Sequence, residues 1–551
     1  MSLFSIGLSG LSAAQTALQT TGSNISNVYT PGYNRQLTLL GESSTGGGVQ
    51  VNDVQRQFNT YVASQLNEAK GSSSALQAYS TQISQIDNLL ADREAGLAPL
   101  MQNFFSSLED LASAPSDPAA RQGVLGTAET LTAQFRSFDS YLDDMQSGIN
   151  GKIRDEVTQI NNSADQVAKL NREIILAKAK TGEAPNSLLD QRDKMVAELG
   201  QRVGVKLTVQ DGGSYNLTIG NGQPLVAGNR SFPLEAVGSA VDPSRTVVAY
   251  RDASNNVIEL AESTFDKGTL GGLMTFRSES LDKTQNQLGQ MALNLATEFN
   301  AQHAKGLDLN GDPGKAFFSI PSAKVIPNAG NDGSGVTVEV AFVDSAKVST
   351  SDYDIRYEGP GAADFVITRK DSGSQVNATA GTDANGDPTL AFDGVELTVT
   401  GSPVPGDRFE LQPTRDLAGG VDVEITDGAE IAAAEDTDPS SATDPVSKGD
   451  NRNALELQAL QSRNIVGGNA SLNEAYASIV SDVGNRTNVV KANLSAQEGL
   501  TEQLTAVQQS ESGVNLDEEA ANLLRFQQYY QANAKVIDIG TRVLDAVLGL
   551  R

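Results

Sequence analysis

Several residue types are missing from this chain of 551 residues, which has no cysteine, no tryptophan and a single histidine. Without cysteine no disulfide can form. His303 is the only imidazole, so we expect neither a Ser–His–Asp triad nor a His-rich metal site, and we place this residue at a helix end. The sequence therefore predicts that the protein is not an enzyme and holds neither a cofactor nor a metal.

Positive charge and long apolar runs are also scarce. The chain has 40 Lys and Arg against 68 Asp and Glu, a net charge of −28. Nucleic acid is excluded as a partner because its backbone is bound by basic clusters. No run approaches the roughly 18 apolar residues of a membrane span, and the polar N-terminus does not resemble a cleaved secretory signal. Taken alone, these facts indicate a cytoplasmic protein without membrane insertion.

One acidic loop imitates a calcium site. Asp308-Leu-Asn310-Gly-Asp312 has the first ligand positions of an EF-hand loop. Such a loop needs glycine at its sixth position and glutamate at its twelfth, where this chain has Pro313 and Ser319. We therefore expect a solvated turn here.

The N-terminal segment lacks charge of either sign, since no ionisable side chain precedes Arg35. Residues 2–30 have the periodicity of an amphipathic helix, and Pro31 with Gly32 ends it. The bulky residues that repeat every seven positions are Phe4, Leu11, Leu18 and Ile25, with Gly7, Ala14, Thr21 and Val28 between them. This pattern predicts a coiled-coil seam, and the chargeless opposite face indicates a helix covered by other protein.

A second seam lies at the C-terminus. Its bulky residues are Leu516, Leu523, Tyr530, Ile537 and Leu544. Gly513 marks the start, and the acids that follow suit a helix N-terminus. We expect the two terminal helices to pair. An ordinary two-helix core explains the spacing equally well, and only the chargeless outer face favours packing within an assembly.

Aromatic residues near these seams have two explanations. Tyr530 is expected to fill the seam, whereas Phe526 and Tyr529 point to other faces of the helix. One of these two is expected to contact a neighbouring subunit. Tyr29 and Tyr33 belong to the same group of candidates.

The interior alternates between helical and strand patterns. Residues 35–53 read as a polar connector, Leu131 to about Lys180 as a single long helix, Val203 to Ile219 as a β-hairpin, and residues 432–450 as an acidic hinge. The predicted fold class is α+β with several domains. We predict paired terminal helices from 1–40 and 512–551, a helical rod domain from 54–200, 270–306 and 450–511, a small β subdomain at 201–269, and a β-sandwich or barrel at 317–430.

Six short stretches of the sequence resemble signatures of a known protein family. GLSGLSAAQTAL, NISN and TPGYNRQ resemble the N-terminal signature of the flagellar axial proteins, the family of rod, hook and hook-associated proteins. SGVNLDEEAANLLRFQQYYQANAKVI is similar to the C-terminal signature of that family, and APNSLLDQRDKMVAEL and FNAQHAKGLDLNGD to interior stretches of a hook-associated member. The signature residues carried over are Asn24, Asn27, Thr30, Pro31, Gly32, Tyr33, Arg35 and Gln36.

The resemblance implies a structural protein between hook and filament. It implies about eleven subunits of this chain in one turn of a tube built through the terminal helices. It also implies hook protein and the third hook-associated protein as neighbours, and a cytosolic export chaperone at the C-terminal helix. The chain would then be secreted through the flagellar export channel, not retained in the cytoplasm. The alternatives are another axial protein, such as hook, and a secreted adhesin with a glycan-binding β domain.

Overall fold

The computed structural model describes residues 3–43, 47–92, 96–220, 222–332, 335–361, 363–436 and 448–549. Residues 437–447 of the predicted hinge lie outside this part. The helices are α1 (Leu3–Ser26), α2 (Thr60–Leu90), α3 (Leu97–Ser113), α4 (Pro118–Thr181), α5 (Asn186–Arg202), α6 (Gly268–Phe276), α7 (Asp282–His303), α8 (Leu417–Gly420), α9 (Arg452–Ala459), α10 (Leu472–Ser512) and α11 (Leu516–Leu548).

Strands fall into two groups along the chain. The first group is β1 (Gln36–Glu42), β2 (Val49–Arg56), β3 (Val205–Val209), β4 (Tyr215–Ile219), β5 (Gln223–Ala227), β6 (Arg230–Ser231), β7 (Leu234–Gly238), β8 (Thr246–Arg251) and β9 (Val257–Glu259). The second is β10 (Gly306–Leu307), β11 (Phe318–Ser319), β12 (Lys324–Pro327), β13 (Thr337–Phe342), β14 (Tyr353–Tyr357), β15 (Phe365–Arg369), β16 (Gln375–Val376), β17 (Thr379–Thr382), β18 (Pro388–Phe392), β19 (Val395–Thr400), β20 (Arg408–Gln412), β21 (Asp422–Val423) and β22 (Ala434–Glu435). The α+β fold class is confirmed.

Helix α4 is the longest element, and its 64 residues extend roughly 96 Å. Pro118 occupies its first turn, where a missing N–H costs nothing, and the side chain of Asp117 caps the helix start. Gly182 ends it in the left-handed conformation. The predicted long helix is thus confirmed, but it begins at Pro118, well before Leu131.

A continuous apolar core joins the helices α2–α7, α9 and α10, which we call the helical body. Four phenylalanine rings from α3, α7 and the chain around β11 meet at its centre. Their centroids lie 4.7–6.4 Å apart, between Phe104, Phe299, Phe317 and Phe318. Phe317 and Phe318 fall within the predicted 317–430 domain, yet the structure places them in the core of the helical body.

Two small antiparallel sheets lie along α4. Their strand orders are β3-β4-β5-β6 and β7-β8-β9. Val209 pairs with Tyr215, so the hairpin predicted from the alternating residues is confirmed. Leu217, Leu225 and Val248 from these sheets are buried in the same core as α4.

Residues 324–412 form two antiparallel sheets with a separate core. The orders are β12-β20-β14-β15-β16 and β13-β19-β18-β17. Tyr353 of the first sheet packs edge-on against Phe392 of the second, with ring centroids 5.1 Å apart. The two sheets therefore face each other as a sandwich.

The prediction of an unstructured connector at 35–53 is wrong. Strands β1 and β2 form an antiparallel hairpin with a register shift after Leu39. The hairpin packs against α1, where the Thr38 hydroxyl donates to the Thr20 hydroxyl at 2.9 Å. Its strands are only half-buried, so their alternation is weak and the Gly-rich turn dominated the sequence pattern.

The terminal base and its joint with the helical body

Helices α1 and α11 pair antiparallel, and with the β1–β2 hairpin they form what we call the terminal base. The contact face of α1 is made of small residues, with Gly7, Gly10, Ala14 and Ala17 buried. A Cβ atom placed on Gly10 would lie 2.1 Å from Oδ1 of Asn533. The Asn533 side chain therefore fills the space that any larger side chain at position 10 would need.

The bulky residues of the predicted seams are more exposed than these small ones. On α1 they are half-buried: Phe4, Leu11, Leu18 and Ile25. On α11, Leu523 and Ile537 are half-buried, and Leu516, Tyr530 and Leu544 are 43%, 39% and 49% exposed. The structure thus brings the two predicted helices together, with small residues of one helix facing bulky residues of the other. A Cβ atom on Gly7 would lie 2.7 Å from Cγ1 of Ile537, and one on Gly540 would lie 3.6 Å from the Phe4 ring.

Helix α11 extends beyond the end of α1. A Cβ atom on Gly540 would lie 3.5 Å from Cβ of Leu3, so the last two turns of α11 have no part of α1 beside them. Their apolar residues are exposed by 49–61%: Val543, Leu544, Val547 and Leu548. The base therefore presents an apolar tip to its surroundings.

Asn24 is the hydrogen-bonding centre of the base, and it is 1% exposed. Its carboxamide pairs with the backbone N–H and C=O of Gln36, at 3.0 and 2.9 Å. The same group donates to Glu519 of α11 at 3.1 Å and accepts from the Tyr33 hydroxyl at 2.8 Å. One side chain thus links α1, the chain leaving it, and α11.

Arg35 neutralises the acids that start α11. Its guanidinium lies 2.8 Å from Glu519, which is 1% exposed, and 2.7 Å from Glu518, which is 57% exposed. The buried pair is the consequential one, since an exposed ion pair contributes little. Burial, aided by the nearby carboxylates of Asp190 and Glu519, raises the pKa of Tyr33 to about 12. Tyr33 therefore stays a neutral hydrogen-bond donor.

The base meets the helical body at Asp190 of α5, within the LLDQRD stretch. Its carboxylate accepts from the Asn34 side chain at 2.6 Å and from the Asn34 backbone at 3.3 Å. Arg56 of β2 donates to Asp190 at 2.9 Å and to Asp193 at 2.5 Å. Burial raises the pKa of Asp190, and the hydrogen bonds from Asn34 and Arg56 oppose that rise.

The other residues of the LLDQRD stretch anchor α5 within the body. Arg192 lies 3.4 Å above the ring of Tyr215 and donates to Asn171 of α4 at 3.0 Å. Asp193 accepts from the Tyr215 hydroxyl at 2.7 Å. This stretch was singled out from the sequence only as a family marker. Its role as the joint was missed because the partners lie far apart along the chain.

The remaining signature residues shape the turn after α1. Thr30 donates to the Asn27 side chain at 3.1 Å, and Gly32 has a φ of +85° that other residues rarely adopt. Pro31 and Tyr29 are exposed, the latter by 88%. Phe526 is half-buried against Tyr529, with ring centroids 6.2 Å apart, and Tyr529 is 50% exposed.

The candidates for chemistry hold structural positions. Asp308 accepts from the backbone of Asn310 and Asp312 at 2.7 and 2.9 Å, which closes its own turn. His303 is buried, with Nδ1 2.7 Å from the Lys315 carbonyl and Nε2 accepting from Ala432 at 2.9 Å. Across the described ranges, no three His, Asp or Glu side chains group as metal ligands. Nor does any described helix combine the length and hydropathy of a membrane span.

Comparison with family models matches most of the chain. Residues 83–318 match the flagellar hook-associated protein FlgK helical domain, and 326–413 match the flagellar hook-associated protein 1 D2-like domain. Residues 4–34 match the flagella basal body rod protein, and 508–550 match the C-terminal model of the flagellar basal body rod FlgEFG proteins. The base therefore has the sequence features of axial proteins in general, and the body those of one branch.

Full-length relatives give the same result. The chain is 45% identical to flagellar hook-associated protein 1 of Salmonella typhimurium (strain LT2) over 561 aligned positions, covering 100% of both chains. It is 45% identical to the protein of that name from Escherichia coli K12, again over 100% of both. The solved structure of the flagellar hook junction protein FlgK from Burkholderia pseudomallei matches with a TM-score of 0.73 at 30% identity, covering 81% of this chain and 99% of that one.

Proposed function

Because this chain belongs to the flagellar hook-associated protein 1 family, whose members are structural flagellar proteins, we propose that it is the adaptor that joins the hook to the filament. In this proposal the terminal base enters the wall of the flagellar tube and the helical body with its sandwich lies outside it. The protein performs no reaction. Its function is to present one surface to the hook and another to the filament side.

The observation that carries this proposal is the chargeless outer face of α1. Helix α1 runs through 24 residues without an ionisable side chain, in a protein of net charge −28. A helix face that stays in water normally carries charges. The exposed apolar tip of α11 adds a second surface that water solvates poorly. Both surfaces favour burial against other subunits.

The base would make heterologous contacts, in which a surface of one subunit meets a different surface of the next. Such contacts propagate along a helical tube, and one turn would hold about eleven copies of this chain. Its other neighbours would be hook protein on one side and the third hook-associated protein on the other. Before assembly, a cytosolic export chaperone would cover α11, and the chain would leave through the flagellar export channel.

Complementation of a deletion strain tests this function. We expect the unaltered chain to restore filaments, and Leu11→Asp to leave hooks intact while filament protein is shed into the medium. The substitution places a carboxylate where we propose subunit contacts, at a cost of several kcal/mol. Val343→Asp on the sandwich, where the side chain is 57% exposed, is the matched control and should restore filaments. Normal filament attachment with Leu11→Asp would contradict the proposal.

A further inference from the structure

Residues 33–36, the connector segment, have side chains bound alternately to the base and to the helical body. Tyr33 and Arg35 bind Asn24 and Glu519 of the base. Asn34, which lies between them, instead binds Asp190. Successive side chains of the segment thus reach partners on opposite sides of the backbone, as they do in a strand. The segment is thus held from both sides at once.

The connector segment also contacts the body through Arg35, whose backbone N–H donates to the Ser512 carbonyl at 2.9 Å, and through Gln36, whose side chain accepts from Asn186 at 3.5 Å. A cavity of about 1660 Å³ opens between the turn after α1, α5 and the end of α10. Asn34 and Asp193 line this cavity. The hydrogen bonds of Asp190 therefore lie at one edge of this cavity, and the cavity interrupts the packing between the base and the body there.

We propose that Asp190 is a positioning residue that couples the pairing of α1 with α11 to the docking of the base on the helical body. Pairing brings Asn24 and Glu519 together, and this pair holds the connector segment in the shape that Asn34 needs to reach Asp190. For assembly this means that the angle of the body is fixed only when the terminal helices have paired, a consequence that rests on the proposed function.

The reason for the coupling is the cost of leaving buried polar groups without partners. Asp190 is 6% exposed and Asn34 is 7% exposed. When the helices separate, the connector segment loses its partners in the base. The Asn34–Asp190 contact must then keep it ordered together with the hydrogen bond from the Arg35 backbone to the Ser512 carbonyl and the longer one from Asn186 to the Gln36 side chain. When that contact is lost, the connector segment becomes less ordered and the pairing of α1 with α11 becomes less favourable in turn, since coupling between sites is reciprocal. Each contact thus raises the population of the other.

A reversible disulfide measures the pairing directly. The chain has no cysteine, so Gly10→Cys with Asn533→Cys introduces the only thiols. Cγ of Asn533, whose place the sulfur of the second cysteine would take, lies 2.5 Å from a Cβ atom at position 10, so the two introduced side chains would meet. Equilibrating the isolated full chain in glutathione buffers gives the effective concentration of the two introduced thiols toward each other. This value rises with the fraction of chains in which α1 and α11 are paired.

In this background, we expect Asp190→Asn to lower the effective concentration about five- to tenfold. Asn34→Ala should lower it to a similar extent from the other side of the contact, which keeps the test decisive if one variant folds poorly. Glu519→Gln, inside the base, should lower it too. Glu68→Gln is the matched control, since Glu68 is paired with Lys267 on the surface of the body and is 65% exposed. It should leave the effective concentration unchanged.

The proposal is overturned if Glu519→Gln lowers the effective concentration while Asp190→Asn and Asn34→Ala remain within twofold of the parent. It is overturned equally if no variant changes it, because neither the buried contact of the base nor the joint would then affect the pairing of α1 with α11. Neither hook nor filament is present in the experiment. Its failure is therefore distinct from a failure of the complementation test, which concerns the function of the assembled protein.

Discussion

At several places in this molecule, an asparagine carboxamide on a helix hydrogen-bonds the backbone of a strand, as a neighbouring strand would. In α4, Asn161 pairs with both the N–H and the C=O of Leu234, and Asn171 does the same for Tyr215. Asn24 pairs in this way with Gln36. A helix cannot extend a sheet through its own backbone, because its N–H and C=O groups are already used. A buried asparagine supplies the missing donor and acceptor, and it fixes the register of the strand on the helix.

His303 gives a residue-scale prediction with a definite sign. Burial lowers the pKa of its imidazole, so the folded protein keeps it neutral while the unfolded chain takes up a proton near pH 6.5. The free energy of unfolding should therefore fall below about pH 6.5, by up to about 1.4 kcal/mol per pH unit from this group.

Thermal unfolding of the parent and of His303→Gln between pH 5 and pH 8 checks this. The variant should be less stable at pH 8, because it loses hydrogen bonds, but the difference between the two proteins should shrink toward pH 5. Burial, with Asp143 and Asp416 nearby, raises the pKa of Asp139 to about 7, and this acts in the opposite direction. It is common to both proteins and cancels in the difference. Parallel stability curves would exclude the assigned role.

At the scale of the elements, the base shows what a seven-residue repeat of apolar residues can predict about helices and their contacts. Repeats of seven residues predicted helices at both termini and their pairing, because the pattern extends over several turns. The same repeats placed Gly7 and Ala14 in the seam beside the bulky residues, and both are buried in the structure, whereas Gly10, which lies against Asn533, falls outside the repeat. Periodicity finds the apolar side of a helix, but the closest approach of two axes depends on where side chains are small.

The sequence was least informative where half-buried strands or distant residues are involved. The β1–β2 hairpin escaped prediction because its alternation is interrupted by a register shift. The joint at Asp190 escaped it because Asn34 and Arg56 are 156 and 134 positions away along the chain. Hydrogen-bond networks of this kind carry no local pattern, so only the three-dimensional arrangement reveals them.

Substitution of Gly10 tests the close approach of α1 and α11. Gly10→Leu should separate the helices, because the new side chain overlaps Asn533. We expect trypsin to cleave after Arg35 about ten times faster, since cleavage follows the open population. Gly22→Leu is the control on the same helix, as a Cβ atom there meets nothing within 4 Å. Equal cleavage rates in the two variants would show that α1 does not pack through its glycine face.

Binding of the proposed export chaperone should depend on α11 and not on α1. If it binds α11, Leu523→Asp should abolish co-purification of the chaperone with this chain, because a carboxylate would enter the apolar groove. Leu18→Asp on α1 should leave it intact. Both substitutions change a half-buried leucine into an acid, which makes them a matched pair. Equal retention by both would place the chaperone on another surface.

At the scale of the whole molecule, we expect the sandwich to be dispensable for the hook–filament junction. Its first and last strands pair with each other, and Pro327 lies opposite Phe409. Residues 328–408 can therefore be replaced by a short Gly/Ser linker without stretching the chain. The cost is the newly exposed apolar surface of Leu293 and Leu417 and of the retained Phe409 and Leu411, all of which belong to the sandwich core.

We expect the shortened protein to fold and to keep filaments attached to the hook, since the base and its joint are unaltered. Counting attached filaments and measuring filament protein in the medium checks the outcome. Deleting the wider range 317–430 is the useful contrast, because it removes Phe317 and Phe318 from the core of the body and should prevent folding. Shedding by the shorter deletion would give the sandwich a necessary role in the junction.

The contact between Asn24 and Glu519 spans 495 positions and sets the order of folding. Closing a loop of that length in an unfolded chain costs about 5–6 kcal/mol of entropy. Once the central helices have folded, they bring Arg35 within 2.9 Å of the Ser512 carbonyl, and the loop still to be closed shrinks to about 18 residues, which costs about 3 kcal/mol less. The terminal helices are therefore the last elements to join and the first to separate, and a chain that has not folded its centre has no means of closing its ends.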